Sequence, residues 1–185
     1  MPMNSLASKL LVAVPQLSDE NFRHAVVLML EHTAQGGLGL VLNQPSEMPL
    51  DDLWRRLANR PSKAKGVLHR GGPVEGAVVA LHTRPEWGNS QVVDGLFLTH
   101  QKSELEQVFD LGTTPLRVYS GCAGWGPGQL ERELAEGSWF VCDLDLESFF
   151  DEPELMWRDV VERIGRRIVL NEADYRRIPP SPELN

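Results

Sequence analysis

Cysteine is scarce in this chain, and the residue spacings that usually hold a metal ion are missing. Its 185 residues include two cysteines, Cys122 and Cys142, and five histidines, with no His-x-His, His-x-x-x-His or Cys-x-x-Cys pair among them. Two cysteines do not make a disulfide framework in a chain of this length. We therefore expect free thiols in a reducing compartment, no metal site and no cofactor. A redox role for the two thiols stays open.

Long apolar runs are also missing. The longest candidates, Leu10–Val14 and Ala25–Leu30, have the length of a β-strand, far short of the roughly 20 apolar residues that a membrane-spanning helix needs. The apolar stretch near the N-terminus is broken by Pro15 and is too short for the apolar region of a secretory signal. The sequence thus predicts a cytoplasmic protein without a membrane partner.

Basic residues are in the minority. The formal net charge is −8 and the pI is near 5.1, whereas nonspecific affinity for DNA depends on clustered Lys and Arg. The basic clusters within Arg55–Lys65 and Arg163–Arg167 are more typical of solvated helix faces than of a nucleic-acid patch. The composition therefore disfavours nucleic acid as a partner, and a transcriptional regulator that contacts DNA directly is our third hypothesis.

Two turn signals predict β-hairpins. Gly36-Gly37 is predicted to be the turn between a strand in Ala25–Leu30 and a strand over Leu38–Leu42. Asp94-Gly95, which lies between two apolar runs, is a second and stronger hairpin signal. Because hairpins pair antiparallel strands, we predict an α+β fold whose mixed sheet is largely antiparallel, with several flanking helices.

The remaining elements follow from apolar spacing and from proline and glycine. Predicted helices are Leu50–Leu57, Gln101–Leu111, a helix from Pro127 through Leu134, and Pro153–Ile164; further predicted strands are Val67–His69, Ala77–His82, Leu116–Ser120 and Trp139–Leu144. With 42% hydrophobic residues the chain is long enough to bury one core. We predict a single compact domain over residues 1–178, followed by a mobile proline-rich tail at 179–185.

The segment Val118–Leu134, VYSGCAGWGPGQLEREL, is the strongest functional candidate. It joins a predicted strand to a predicted helix through a loop with glycine at four positions, Gly121, Gly124, Gly126 and Gly128. Glycine permits a positive φ or the close approach of a partner, so a loop this rich in it is unusual for a plain connection. Trp125, between two of these glycines, either fills the core beneath the loop or is presented to a partner.

Two chemical interpretations of this segment are weak. Cys122 precedes a predicted helix, whose N-terminus favours a thiolate, yet no histidine lies nearby in sequence to serve as its base. The glycines match no phosphate-binding motif, Pro127 removes a backbone donor, and Glu131 and Glu133 would repel an anion. Catalysis by Cys122 and nucleotide binding are therefore minor hypotheses.

Three blocks of the sequence resemble the bacterial YqgE/AlgH family. They are FRHAVVLMLEHTAQGGLGLVLNQP (Phe22–Pro45), GGPVEG (Gly71–Gly76) and AGWGPGQLEREL (Ala123–Leu134), they occur in the family's order, and the resemblance runs from about Leu11 to about Val169. It implies a compact mixed α/β protein of unassigned activity, with a transcription-regulatory role suggested for some members. Cys122 replaces an aromatic residue that is usual in the family, and AVVALHT follows GGPVEG in place of the more usual basic-glycine-aromatic sequence.

We predict a working surface from segments that are expected to converge on one edge of the sheet. Its residues are Asn43; Gly71, Gly72 and Pro73; Cys122, Ala123, Gly124, Trp125 and Gly126; and Gln129 and Glu131 of the following helix. The first hypothesis is a noncatalytic interaction or regulatory module that binds a protein or small-molecule partner through this Gly/Trp loop surface. The alternative is a small-molecule-binding protein or enzyme that uses the same cleft, with Cys122, His69 and Glu131 as its polar groups.

Overall fold

The computed structural model describes residues 5–112 and 115–175, with side chains as far as Ile168. The described ranges contain ten strands and five α-helices. The strands are β1 (Lys9–Ala13), β2 (Val26–Thr33), β3 (Gly36–Val41), β4 (Pro45–Pro49), β5 (Val67–Arg70), β6 (Val74–His82), β7 (Ser90–Val93), β8 (Leu96–Thr99), β9 (Leu116–Trp125) and β10 (Trp139–Asp143). The helices are α1 (Leu50–Ala58), α2 (Lys102–Leu111), α3 (Gln129–Ala135), α4 (Leu146–Phe149) and α5 (Pro153–Tyr175), and a 3₁₀ turn spans Pro85–Trp87.

All ten strands belong to one sheet. Eight of them run in the order β10-β1-β2-β3-β9-β6-β8-β7, while β5 pairs with β9 and β4 pairs with β5. The β5–β9 pair is parallel, and the other pairs within the described ranges are antiparallel. The α+β fold with a mixed, largely antiparallel sheet is therefore confirmed. β9 is its central element, because it pairs with β3, β5 and β6.

The first two strands are apolar at consecutive positions because the sheet is covered on both faces. Leu10 and Val12 of β1 pack into one hydrophobic cluster, whereas Leu11 and Ala13 pack into a second. β2 divides its side chains between the same two clusters. Both strands were predicted from their apolar runs, and both are confirmed.

Helices α1 and α2, which the sequence predicted, cover a third hydrophobic cluster. Leu50, Leu53 and Trp54 of α1 are buried, and Trp54 stacks on Phe109 of α2 with ring centroids 4.3 Å apart and planes 7° apart. α2 ends at Gly112, which has a φ of 65°. A left-handed residue of this kind commonly closes a helix, as predicted.

The β2–β3 hairpin is confirmed, but its predicted turn is wrong. Residues 34–35 form the turn, and Gly36 and Gly37 lie inside β3 opposite Thr33 and His32. A Cβ at Gly36 would lie 2.1 Å from the carbonyl oxygen of Trp125. Gly36 therefore permits close packing of β3 against β9 rather than a turn. The second hairpin is confirmed, with Gly95 at a φ of 78° between β7 and β8.

The predicted loop around Trp125 is mostly strand. β9 continues to Trp125, past the predicted end at Ser120, because β3 pairs with its last three residues. α3 then begins at Gln129, after a turn, and not at Pro127. The glycine-rich composition suggested an irregular loop, but pairing with β3 holds Ala123–Trp125 in an extended strand.

Helix α5 passes through Gly165, where the sequence predicted its end. A glycine inside a helix costs only about 1 kcal/mol relative to alanine, and the other residues of this 23-residue helix outweigh that cost. The predicted tail at 179–185 lies outside the described residues, and the single-domain boundary at 178 stays a prediction. Within the described ranges, we find no helix with the length and apolar character needed to cross a membrane.

Candidate functional site

The indole of Trp125 lies in the core. Trp125 is 5% exposed and packs with Phe22 and Trp139 in the second hydrophobic cluster. Its ring nitrogen Nε1 donates a hydrogen bond to Oε2 of Glu133 at 2.9 Å. The sequence allowed this side chain either to fill the core or to be presented to a partner. In the structure it fills the core.

Glu133 organises this part of the molecule, and the sequence analysis did not single it out for that role. Its Oε2 also accepts a hydrogen bond from Nε1 of Trp139 at 2.8 Å, and its Oε1 accepts one from Nε2 of Gln129 at 2.9 Å. One carboxylate therefore satisfies the polar atoms of two buried indoles. No spacing pattern in the sequence could indicate this, because the two tryptophans lie on different strands.

The two polar residues predicted at the start of α3 are engaged within the protein. Oε1 of Gln129 accepts the backbone N–H of Gly126 at 3.1 Å. Oε1 of Glu131 lies 3.2 Å from Nε2 of His32, a buried residue whose Nδ1 accepts the backbone N–H of Leu6 at 3.1 Å. Because Nδ1 is an acceptor, Nε2 carries the proton of the neutral ring and donates to Glu131. This pair ties α3 to β2 and to the N-terminal segment.

Gly71 and Gly72 connect two parts of the sheet. The N–H of Val41 donates to the carbonyl of Gly71 at 2.7 Å, and the N–H of Gly71 donates to the carbonyl of Ser120 at 2.8 Å. A Cβ at Gly72, where φ is 152°, would lie 2.2 Å from the carbonyl carbon and oxygen of Cys122. The GGPVEG block therefore begins with two glycines that the packing against β9 requires.

The Asn43 side chain is hydrogen-bonded to the backbone around the start of β2 and lies apart from Trp125. Its Oδ1 accepts the N–H of Val26 at 2.9 Å, and its Nδ2 donates to the carbonyl of His24 at 2.8 Å. It follows β3 by two residues, whereas Trp125 pairs with Gly37 near the start of β3. Six residues of extended chain separate the two points by about 20 Å. The structure does not bring Asn43 and the Trp125 segment together.

An open groove forms where the GGPVEG block meets β9. It has a volume of about 480 Å³ and is lined by Arg70, Gly72, Pro73, Val74, Glu75, Gly76, Ser120 and Gly121. We call this surface the glycine groove. Gly72 and Pro73 are the residues of the predicted surface that line it. Cys122 is half-buried and follows the groove along β9, and Gly124 and Gly126 are exposed farther on.

A second cavity, of about 570 Å³, lies beside β5 and the start of β9. Its lining includes His69 and Arg117, together with Lys65, Asp151, Glu152 and Glu154. His69 and Arg117 are 6% and 5% exposed. Neither ring nitrogen of His69 has a hydrogen-bond partner, nor does Nη1 of Arg117 or the hydroxyl of Tyr119, among the described residues. Sequence reasoning named His69 but missed the two β9 residues, since LRVYS has the pattern of an ordinary buried strand.

The structure separates the three polar side chains that the small-molecule or enzyme hypothesis requires in one cleft. His69 lines the second cavity, Cys122 pairs with Val74 beside the glycine groove, and Glu131 binds His32. Cys142 lies on β10, separated from β9 by β1, β2 and β3 in the sheet order, and both cysteines are free thiols. Burial raises the pKa of Cys142, which disfavours its reactive thiolate form.

A family model described as AlgH-like matches residues 10–169 of the chain. The chain belongs to the AlgH-like family. The resemblance that the three sequence blocks indicated is thereby confirmed over nearly the range predicted.

The relatives of this AlgH-like protein match it over almost their whole length. A UPF0301 protein from Streptomyces coelicolor is 39% identical, with the alignment covering 99% of this chain and 97% of that protein. A UPF0301 protein from Chlorobaculum tepidum is 37% identical, and the alignment covers 95% of this chain and 92% of that protein. The names of these relatives specify no activity.

Solved structures share the fold. The solution structure of the AlgH protein from Pseudomonas aeruginosa is 29% identical and superposes with a TM-score of 0.73, covering 89% of this chain and 93% of that chain. A crystal structure of a Corynebacterium diphtheriae protein is 24% identical with a TM-score of 0.68, covering 88% of this chain and 90% of that chain. The second comparison shows the fold alone.

Among the side chains described in residues 5–112 and 115–168 of the AlgH-like protein, no three or more His, Cys, Asp or Glu residues are grouped so that they could hold a metal ion. The histidines have other surroundings. Nε2 of His82 lies 2.8 Å from the hydroxyl of Thr99, and the His24 ring packs on Trp157 with centroids 4.1 Å apart. The His82 side chain thus makes a buried hydrogen bond, and the exposed His24 side chain packs on a neighbouring ring.

His69 makes stability depend on pH. Burial, followed by the positive charge of Arg117, lowers the pKa of His69 from 6.5 to about 4. The unfolded chain therefore takes up the proton first, so the stability associated with the neutral buried ring is complete above pH 6.5 and is lost as the pH falls toward 4. At about 1.4 kcal/mol per pH unit, that loss approaches about 3 kcal/mol.

We expect His69→Phe to remove this contribution while keeping a ring against Tyr119. Urea unfolding at pH 7 and pH 4 should show that the wild type loses about 3 kcal/mol more than the variant between the two values. Other groups that titrate in this range are common to both proteins, so the difference isolates His69. Equal losses in the two proteins would show that His69 is not held in its neutral form.

Proposed function

We propose that this AlgH-like protein is a noncatalytic interaction or regulatory module whose partner binds in the glycine groove. The observation that carries the proposal is the groove itself, since the GGPVEG block that resembles the family meets Ser120 and Gly121 of β9 there and leaves an opening of about 480 Å³. Val74, an apolar side chain that is 50% exposed, lies in its lining. An open apolar position with polar neighbours is the arrangement expected of a contact surface.

The groove results from an irregularity in the pairing of β6 with β9. Val74 pairs with Cys122 and Val78 pairs with Ser120, so the three residues between them on β6 face Gly121 alone. Such a bulge interrupts the ladder and turns the strand outward. Glu75 and Gly76 are accordingly exposed. Bulges of this kind are frequent beside functional sites, which supports a partner-binding role for this edge.

The charges at the groove suit a segment of mixed polarity. Arg70 supplies a positive charge and Glu75 a negative one, and Nε of Arg70 donates to the carbonyl of Gly72 at 3.4 Å. The acidic overall balance of the chain, −8, speaks against nucleic acid as the partner. A protein segment that places an apolar side chain against Val74 matches these groups best.

The proposal narrows the surface that the sequence predicted. Gly72 and Pro73 stay within it, and Gly71 supports it from the adjoining backbone. Trp125 is buried, while Gln129 and Glu131 are occupied by contacts within the protein. The depression of about 200 Å³ beside Trp125, lined by residues such as Leu38, is a smaller and separate opening.

Site-specific photocrosslinking tests the proposal. p-Benzoylphenylalanine at position 74 is expected to capture a discrete protein in the source bacterium, because this exposed position lies in the groove. The same probe at position 111 is the matched control, since Leu111 is also an exposed apolar residue, 58% exposed, but belongs to α2. An adduct from position 74 alone supports the proposal. No adduct, or the same adducts from both positions, contradicts it.

A further inference from the structure

We propose that the cavity beside His69 and Arg117 is a binding site for a free amino acid, whose carboxylate is held by Arg117 and whose ammonium group faces the acidic rim at Glu152 and Glu154. This site is independent of the glycine groove. It is formed by β5, the start of β9 and the junction between α4 and α5.

The first argument is a buried guanidinium without a carboxylate partner. Arg117 is 5% exposed, yet no carboxylate lies within 4.0 Å of its guanidinium in the part of the chain that the structure describes. Its Nη2 donates to the backbone carbonyl of Asp151, its guanidinium lies 5.5 Å from the ring centroid of Phe149, and its Nη1 has no acceptor. Burying an unpaired charge costs several kcal/mol. A ligand carboxylate would supply the charged acceptor that this guanidinium lacks.

The second argument is that His69, another buried polar side chain without a hydrogen-bond partner among the described residues, lines the same cavity as this guanidinium. The rings of His69 and Tyr119 have centroids 5.3 Å apart on neighbouring strands. Arg117 and Tyr119 are two residues apart on β9 and therefore lie on the same face. Arg117 and neutral His69, which both line the cavity, can each donate a hydrogen bond to a ligand there. A carboxylate, which accepts up to four, fits this demand.

The third argument concerns the charges at the rim. Asp151, Glu152 and Glu154 line the cavity, with Lys65 as the cation besides Arg117. Three carboxylates repel a multiply charged anion such as phosphate, while Arg117 repels a metal cation. A molecule with one negative and one positive end avoids both conflicts. The α-carboxylate and α-ammonium groups of an amino acid meet this requirement, and a volume of about 570 Å³ is sufficient for its side chain.

The α4–α5 junction contacts Arg117 directly. Phe150 and Pro153 of this junction line the cavity, and the Asp151 carbonyl holds the guanidinium. A ligand carboxylate exchanges this single neutral acceptor for a charged acceptor that can bind in a bidentate manner. Binding is therefore expected to displace the junction.

Calorimetry and thermal unfolding with each of the twenty L-amino acids test the proposal, with acetate and methylammonium as single-charge controls. At least one amino acid should raise the Tm by about 3 °C or more at ten times its Kd, and neither single-charge compound should match it. Arg117→Met should abolish binding without lowering the Tm of the free protein, because an unpaired buried charge is removed. Glu154→Gln should weaken binding about tenfold.

Arg84→Met is the matched control, because Arg84 is an exposed arginine above the Trp87 ring, and it should bind like the wild type. Circular dichroism confirms that each variant folds, and Arg117→Lys replaces Arg117→Met if the latter does not. The proposal is overturned if no amino acid binds, if acetate binds as tightly as the amino acid, or if the Arg117 variant binds like the wild type.

Discussion

Glu133→Ala is expected to lower the free energy of unfolding by about 3–4 kcal/mol, because each buried donor left without an acceptor costs about 1–3 kcal/mol. The affected donors are the ring nitrogens of Trp125 and Trp139, which lie 2.9 and 2.8 Å from the Glu133 carboxylate. Both tryptophans are buried, so water does not replace the lost acceptor. Urea unfolding at neutral pH measures the effect, which corresponds to a fall in Tm of about 10 °C.

Two further variants show whether the paired indoles are the cause. Glu136→Ala removes an exposed carboxylate just after α3 and should stay within about 0.5 kcal/mol of the wild type. Glu133→Gln keeps one acceptor oxygen for two indole donors and should fall between the wild type and the alanine variant. A stability of Glu133→Ala equal to that of Glu136→Ala would mean that the carboxylate does not hold the two rings.

Gly72→Ala is expected to cost at least about 4 kcal/mol or to prevent folding, because it combines two kinds of strain. The residue has a φ of 152°, and its new Cβ would lie 2.2 Å from the carbonyl carbon and oxygen of Cys122. These are backbone atoms of a central strand, which cannot move aside as a flexible side chain can. Soluble yield and urea unfolding measure the result.

Two other glycines separate the cost of the positive φ from the cost of the close Cβ contact. Gly66 has a φ of 103° with nothing within 4 Å of its Cβ position, so Gly66→Ala reports conformational strain alone, expected at about 1–3 kcal/mol. A Cβ at Gly124 also meets nothing within 4 Å, and this glycine is not among those with a positive φ. Gly124→Ala should therefore stay within about 0.5 kcal/mol. If Gly72→Ala is no worse than Gly66→Ala, close packing against Cys122 does not explain this glycine.

The sequence predicts those parts of the fold that local chemistry determines. The apolar run of β2 identifies a strand buried on both faces. Asp94-Gly95 identifies the β7–β8 hairpin, because the turn needs a positive φ. α1 follows from its amphipathic spacing. These signals lie within a few residues of one another, so a single segment carries the information.

Glycine is where sequence reasoning failed. Gly36 and Gly37 look like a turn, and the segment at Gly121–Gly128 looks like a loop, because glycine permits both. In the structure Gly36, Gly71 and Gly72 let β3, β9 and the GGPVEG block approach closely, since a Cβ at each would lie only 2.1–2.3 Å from neighbouring backbone. Such requirements depend on a partner segment distant in sequence, which no local pattern reveals.

The candidate sites were predicted only in part for a similar reason. The GGPVEG block, whose first three residues belong to the candidate surface, lines a groove, whereas Trp125 is buried by its contact with Glu133 and by the β3 pairing. The surroundings of Arg117 depend on the α4–α5 junction, about 35 residues farther along the chain. Long-range packing, rather than residue type, therefore determines which polar groups are free for a ligand.

The affinity of the protein captured at position 74 tests the central claim most directly. Isothermal titration calorimetry compares the wild type with Val74→Glu and Leu111→Glu, two substitutions at exposed apolar positions, 50% and 58% exposed in the wild type, that should leave the fold intact. We predict that Val74→Glu weakens binding at least about tenfold, since a charge is placed in the contact, and that Leu111→Glu changes it less than about twofold. Equal affinities for the wild type and Val74→Glu would contradict the assignment of the glycine groove as the partner surface.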